Sequence, residues 1–219
     1  MPIVAGSILG GNLLNIEEII KLSEESEIDW LHLDIMDGNF VPNLTFGYDF
    51  VKKIKEKTKL PVDVHLMVIN PEKYIHYSEY CDMITFHIET TNFPMRLIEN
   101  IKKIRDIKVG VALNPITNVE IISNLEGYID NVLIMTVEPG FAGQKFISNC
   151  LNKIYKAKQL TKKWKKDMFI SVDGGIDDKN YKLVLEKGAN YIVCASFLYQ
   201  DYSKTKQRVK LIKKGENYA

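Results

Sequence analysis

Cysteine is scarce: three residues, Cys81, Cys150 and Cys194, odd in number, far apart and with no C-x-x-C pair. That argues against a disulfide scaffold or a cysteine-rich zinc module and fits a reducing compartment. Long hydrophobic runs are missing, and none approaches the roughly 20 residues needed to span a bilayer. Neither sign of charge dominates, with 29 Lys plus Arg against 28 Asp plus Glu. The balance gives no electrostatic reason to bind nucleic acid or a membrane surface, so neither partner is expected. One basic stretch, KAKQLTKKWKK (156–166), has the spacing of a solvated helix face. The opening MPIVAGSILGG lacks the basic, long apolar and small-residue regions of a signal peptide, so a cytoplasmic protein is expected. No Pro/Gly/Ser linker or break in composition interrupts the 219 residues, and one domain over 1–219 is the expectation.

What is present is alternation. Short β-branched runs stand at 2–9, 30–36, 61–68, 82–89, 107–113, 131–137, 168–174 and 190–196. Amphipathic stretches such as NIEEIIKLSEES (15–26), MRLIENIKKIRD (95–106) and KNYKLVLEKGA (179–189) separate them, and 198–210 leads into a final helix whose last residues fray. Strands alternating with helices imply right-handed βαβ units and a parallel sheet. Eight units leave about 27 residues each, near the lower limit for a (β/α)8 TIM barrel. An open doubly wound sheet would place a Gly-rich phosphate turn after its first strand, and GSILGGN (6–12) matches that poorly. The α/β barrel is the expected fold.

In such a barrel, functional groups sit at the C-terminal ends of several strands. WLHLDIM (30–36) puts His32, Asp34 and Met36 on one face, where a core strand would carry Val or Ile. PVDVHLMV (61–68) repeats the pattern with His65 and Met67, and SVDGG (171–175) presents Asp173. His32, Asp34, His65 and Asp173 form an N2O2 set that suits one divalent cation: zinc, iron, manganese or cobalt. The competing reading is four satisfied structural groups. Asp63, on the same alternation as His65, is read as structural. Met36, Met67 and Met135 are either gap-filling core residues or a soft apolar lining. EPGFAGQ (138–144), DGGI (173–176) and CASF (194–197) follow the sixth, seventh and eighth strands. Loops there recurrently bind phosphate through backbone N–H groups, so a small phosphorylated substrate is expected.

HLDIMDGNFVPNLTFG (32–47), DVHLMV (63–68), ITFHIE (84–89), MTVEPGFAGQKF (135–146) and SVDGGI (171–176), in this order, resemble the signatures of the ribulose-phosphate 3-epimerases and their hexulose-6-phosphate relatives. The resemblance runs over essentially the whole chain. It implies metal-dependent epimerisation at C3 of a ketose phosphate, with His32, Asp34, His65 and Asp173 as ligands and Asp34 and Asp173 as the acid–base pair. It further implies that Ser7 and His65 lie by the substrate and that Gly143, Gly174, Gly175 and Ser196 hold the phosphate. Met36, Met67 and Met135 become a low-dielectric cap, and a homo-oligomer is implied.

Some positions depart from the family pattern. GSILGGNL (6–13) stands where PSILSADF is common, and the resulting Gly6 and Gly11 suggest a more flexible backbone beside Ser7. GFAGQ replaces GFGGQ at Ala142, and Ala195 precedes Ser196 where Gly is usual. None of these removes a ligand or acid–base residue. They bear on substrate length, leaving D-allulose 6-phosphate as the alternative to D-ribulose 5-phosphate. A Schiff-base aldolase would need a lysine at an inward strand end, and none of the eight strands offers one. A decarboxylase would want a lysine near its carboxylates, and a pure binding protein would show no turnover.

Overall fold

The computed structural model describes residues 1–164 and 167–214. Eight parallel strands close into a barrel in chain order: β1 Ile3–Ser7, β2 Trp30–Met36, β3 Val62–Met67, β4 Met83–His87, β5 Lys108–Leu113, β6 Asn131–Met135, β7 Phe169–Asp173 and β8 Tyr191–Cys194. Pairing of β1 with β8 completes the ring. Seven α-helices among the described residues surround or cap it: α1 Ile16–Glu25, α2 Tyr48–Lys57, α3 Pro94–Ile104, α4 Cys150–Thr161, α5 Tyr181–Glu186, α6 Ser196–Tyr199 and α7 Thr205–Lys214.

After β3 and β5 the crossover is a 3₁₀ helix, Pro71–Tyr80 and Val119–Leu125. In the first, Tyr74, Tyr77 and Tyr80 recur every third residue, and a three-residue turn stacks such positions on one face. Two of these rings meet Tyr48 of α2, with centroids 5.8 Å away for Tyr77 and 5.5 Å for Tyr80.

Strand alternation divides the residues between two environments. Leu31, Leu33 and Ile35 of β2, Val64 and Leu66 of β3 and Ile84 and Phe86 of β4 face outward into the continuous core beneath the helices. The other parity fills the lumen. At its N-terminal end Trp30, Phe169 and Tyr191 pack edge-on or tilted, with centroids 5.4–6.3 Å apart. This aromatic plug, joined by Ala5, Met83 and Val193, closes the barrel from below. The other end is left for polar groups.

The glycines of the first strand and its loop serve close packing, which corrects the expectation of added flexibility there. A Cβ on Gly6 would lie 2.1 Å from the Tyr199 hydroxyl, and one on Gly11 would lie 2.5 Å from Ile19 Cδ1. Within the basic stretch 156–166, Lys156, Gln159, Lys162 and Lys163 are exposed while Ala157, Thr161 and Trp164 are buried, as a solvated helix face requires. Residues 165 and 166, and the 215–219 end where fraying is expected, lie outside the described residues. All three cysteines are buried free thiols. Among the described residues no helix is long and apolar enough to cross a membrane.

Candidate active site

Strand register assembles the site. Asp34 on β2 lies beside His65 on β3, and one pleat further on Met36 lies beside Met67. Asp173 on β7 lies beside Met135 on β6. The outcome is a compact set, His32, Asp34, His65 and Asp173, each offering a ligand atom within 4.8 Å of the others. His32 Nε2 is 3.2 Å from Asp34 Oδ1 and 3.8 Å from Asp173 Oδ2. His65 Nδ1 is 3.1 Å and 3.7 Å from the same two oxygens. Two imidazole nitrogens and two carboxylate oxygens facing one point match the donor chemistry of a divalent cation.

The two carboxylates are held differently. Asp34 accepts a 2.7 Å hydrogen bond from Ser7 Oγ and borders both imidazoles. Burial works to raise its pKa, but the charge and hydrogen bonds of His32 and His65 outweigh burial and hold it far below the usual carboxylate range. Asp173 comes no closer than 3.7 Å to those nitrogens. Burial, reinforced by the Asp34 charge, pushes it up to about 6. In the metal-free site the pair is therefore asymmetric, Asp34 held ionised and Asp173 raised, and a cation between them would pull both toward the charged form.

Each imidazole is buttressed on its far side. His32 donates from Nδ1 to Asp63 Oδ2 at 2.7 Å, and Tyr191 donates to the same oxygen at 3.2 Å. Despite burial, Asp34 and Asp63 carry His32 well above its ordinary pKa. Asp63 is thus no cavity group, and its work is to orient His32. The far nitrogen of His65, Nε2, lies 2.9 Å from His87 Nε2, and His87 Nδ1 lies 3.4 Å from Glu89 Oε2. Burial, with His65 beside it, lowers His87 to about 4. The site-residue reading of the sequence passed over His87 and Glu89. The available signal was the inward parity of Met83, Thr85 and His87, which places an imidazole at the end of β4 much as His32 and His65 stand on their strands.

Above this cluster opens a cavity of ≈ 380 Å³ walled by Ser7, Asp34, Asp173 and the three methionines, Met36, Met67 and Met135. His32 and His65 are fully buried beneath its floor and do not line it, so His65 belongs to the His/Asp cluster rather than to the cavity wall. Gly143, Gly174, Gly175 and Ser196 line the far wall together with the departing residues Ala142 and Ala195. Gly174 and Gly175 have φ of +118° and +64°, and a Cβ on either would come within 3 Å of backbone at Val137 or at Gln144 and Phe146. Only glycine fits there, and that brings main chain up to the cavity. The loop is braced by Gln144, which donates to the carbonyls of Glu138 and Phe141, and by Asn43, which reaches Gly140 O at 3.1 Å.

Comparison with known proteins agrees with this geometry. Solved structures that share the architecture include a mutant tryptophan synthase α-subunit from Pyrococcus furiosus, with TM-score 0.69 at 14% identity over 96% of both chains. Phosphoribosylanthranilate isomerase from Thermotoga maritima gives TM-score 0.65 at 17% identity, over 98% of this chain and all of that one. At such identities the likeness shows the barrel alone. Sequence relatives are much nearer. A ribulose-phosphate 3-epimerase from Methanocaldococcus jannaschii is 44% identical over 90% of this chain and 83% of the relative. One from Bacillus subtilis is 42% identical over 90% and 91%. The chloroplastic ribulose-5-phosphate-3-epimerase of Arabidopsis thaliana is 37% identical over 97% and 77%. The family model described as ribulose-phosphate 3 epimerase family matches residues 3–199, from the first strand through α6, and so the chain belongs to the ribulose-phosphate 3-epimerase family.

Proposed function

We propose that this enzyme inverts C3 of D-ribulose 5-phosphate, giving D-xylulose 5-phosphate, with Asp34 and Asp173 as acid and base and one divalent cation held by His32, Asp34, His65 and Asp173. The observation that carries the reading is the pair of carboxylates, from non-adjacent strands, meeting at the cavity floor, each within 4 Å of both His32 and His65. Inverting a carbon needs a proton removed from one face and another delivered to the opposite face. A single carboxylate cannot do both without leaving the site.

The cation, when bound, supplies Lewis-acid stabilisation of the negative charge that develops when the C3 proton leaves. The chain's own groups do the rest. Ser7 holds Asp34 in place, Asp63 keeps the His32 proton on Nδ1 and leaves Nε2 free to act as ligand, and the methionines exclude water so that charges at the floor are weakly screened. Gly143, Gly174, Gly175 and Ser196, on the wall of the same cavity, present main chain and a hydroxyl for the phosphate. His65, its ring buried under the floor, would hold the cation rather than touch the substrate.

The second reading, a D-allulose 6-phosphate epimerase, rests on Ala142, the departure from GFGGQ, which lies on the cavity wall. The relatives' names favour the pentose. Proton NMR in D2O with both substrates, with and without chelator, tests the assignment. Chelator-sensitive deuterium incorporation at C3 with higher kcat/KM for the pentose is the expected outcome. Faster hexose turnover would transfer the assignment, and no exchange in metal-replete protein would overturn it. The homo-oligomer implied by the family is tested by light scattering on the purified protein.

A further inference from the structure

His65 uses one ring nitrogen toward the carboxylates and the other toward a second imidazole, and that arrangement fixes where the protons sit. As a ligand, Nδ1 must present its lone pair, so the single proton of a neutral ring sits on Nε2. Nε2 is 2.9 Å from His87 Nε2. Two nitrogens at that distance need one donor and one acceptor, so His87 Nε2 accepts and the proton of His87 is on Nδ1. That Nδ1 is buried without an aligned hydrogen-bond partner, and the carboxylate of Glu89 stands 3.4 Å from it. Asn114 Oδ1, a neighbouring acceptor, is likewise buried and unpartnered.

The outer end of this path is anchored. Glu89 Oε1 accepts from Asn114 N at 2.8 Å and from Thr117 Oγ1, and Lys153, itself buried, donates to the Asn114 carbonyl. His65 meets the imidazole of His87 edge to edge, with centroids 5.0 Å apart and 23° between planes, and the Phe40 ring lies at 4.7 Å. A core position needing only volume would be filled more cheaply by an apolar side chain, because a buried imidazole must have its polar atoms satisfied.

We propose that His87 and Glu89 are positioning residues for the cation site: His87 accepts from His65 Nε2, the Glu89 carboxylate faces His87 Nδ1 from outside, and this static chain locks His65 as an Nδ1 ligand and orients its ring. The inference rests on the cation reading above. Outer partners of a ligating histidine fix its tautomer, and removing one costs about 10–100-fold in metal affinity.

The test uses Zn(II) and Co(II), titrated against a competing chelator into metal-stripped wild type, His87→Phe and His87→Gln, together with two-bond proton–nitrogen NMR of the zinc-loaded wild type. The wild type is expected to bind one equivalent, with His65 protonated on Nε2 and His87 on Nδ1. His87→Phe keeps the ring volume and is expected to weaken both metals about 10–100-fold and to alter the cobalt visible spectrum. His87→Gln can accept at one end and donate at the other, and is expected to recover most of the affinity. A zinc-loaded wild type with His65 protonated on Nδ1 overturns the proposal, as does a folded His87→Phe that binds both metals like wild type. Wild type that binds no metal would instead remove the cation reading and this proposal with it. If His87→Phe fails to fold, the wild-type tautomers decide.

Discussion

The two halves of the site differ in how firmly their acid is held. On the β2–β3 side Asp34 has a serine donor and two imidazoles around it, each imidazole buttressed from behind. On the β7 side Asp173 stands 3.7 Å or more from those same imidazoles, and its neighbours are Met135, glycine backbone and the open cavity. The residue type is the same and the burial similar, yet one carboxylate is driven far down in pKa and the other up to about 6. In the metal-free site, electrostatic surroundings rather than side-chain chemistry set the two carboxylates apart.

The largest effect is expected from erasing the acids themselves. Asp34→Asn and Asp173→Asn should each cut epimerisation by about 10²–10⁴-fold. The comparison sharpens if solvent deuterium exchange at C3 is followed from each epimer separately. Each variant is expected to retain exchange only with the epimer whose proton faces the surviving carboxylate, and a variant that exchanges both would sink the two-base scheme.

Next comes stability without metal. A carboxyl whose folded pKa lies above its unfolded value of 3.8 makes the folded state progressively less stable as pH rises from about 4 to about 6. In chelator, Asp173→Asn should therefore stabilise the protein at pH 7 by about 3 kcal/mol, since each tenfold difference in proton affinity between the folded and unfolded chains is worth about 1.4 kcal/mol. The gain should shrink as pH falls toward 4. Urea midpoints across that range provide the check, and a variant that is less stable than wild type at pH 7 would contradict the assigned asymmetry.

Asp63→Asn attacks the buttress of His32. An amide can present its N–H to His32 Nδ1 and favour the wrong tautomer, so zinc affinity is expected to drop about 10–100-fold. Chelator competition reads this directly, and unchanged affinity would reduce Asp63 to a packing group. The smallest effect is expected for Ser7→Ala, which deletes one buried hydrogen bond to Asp34. A loss of about 1–3 kcal/mol in thermal or urea unfolding follows from leaving that oxygen short of a donor, and no loss would mean another donor takes its place.

Much of this site was legible from residue order alone. All eight strands fall inside the β-branched runs at 2–9 through 190–196, because a strand buried on both faces needs Val and Ile throughout. His32, Asp34, His65 and Asp173 stood out because they break that rule at inward positions. Asp63 broke it too, but residue type could not tell a ligand from the group that steadies one. That distinction depends on which strand lies alongside. Register sets Asp63 next to His32 and Asp34 next to His65. His87 was hidden for a related reason: one imidazole on β4 means little until β3 brings His65 Nε2 to within 2.9 Å.

The sequence by itself determined the barrel, the polar inward positions and the glycines of the loops after β6 and β7, because alternation and backbone sterics are local properties of the chain. Tertiary structure alone decided how differently the two carboxylates are surrounded, which nitrogen of each histidine faces them, and why Gly6 and Gly11 are small. Those outcomes depend on distances of a few ångströms between residues far apart in the chain, and electrostatics and packing respond to that distance rather than to sequence order.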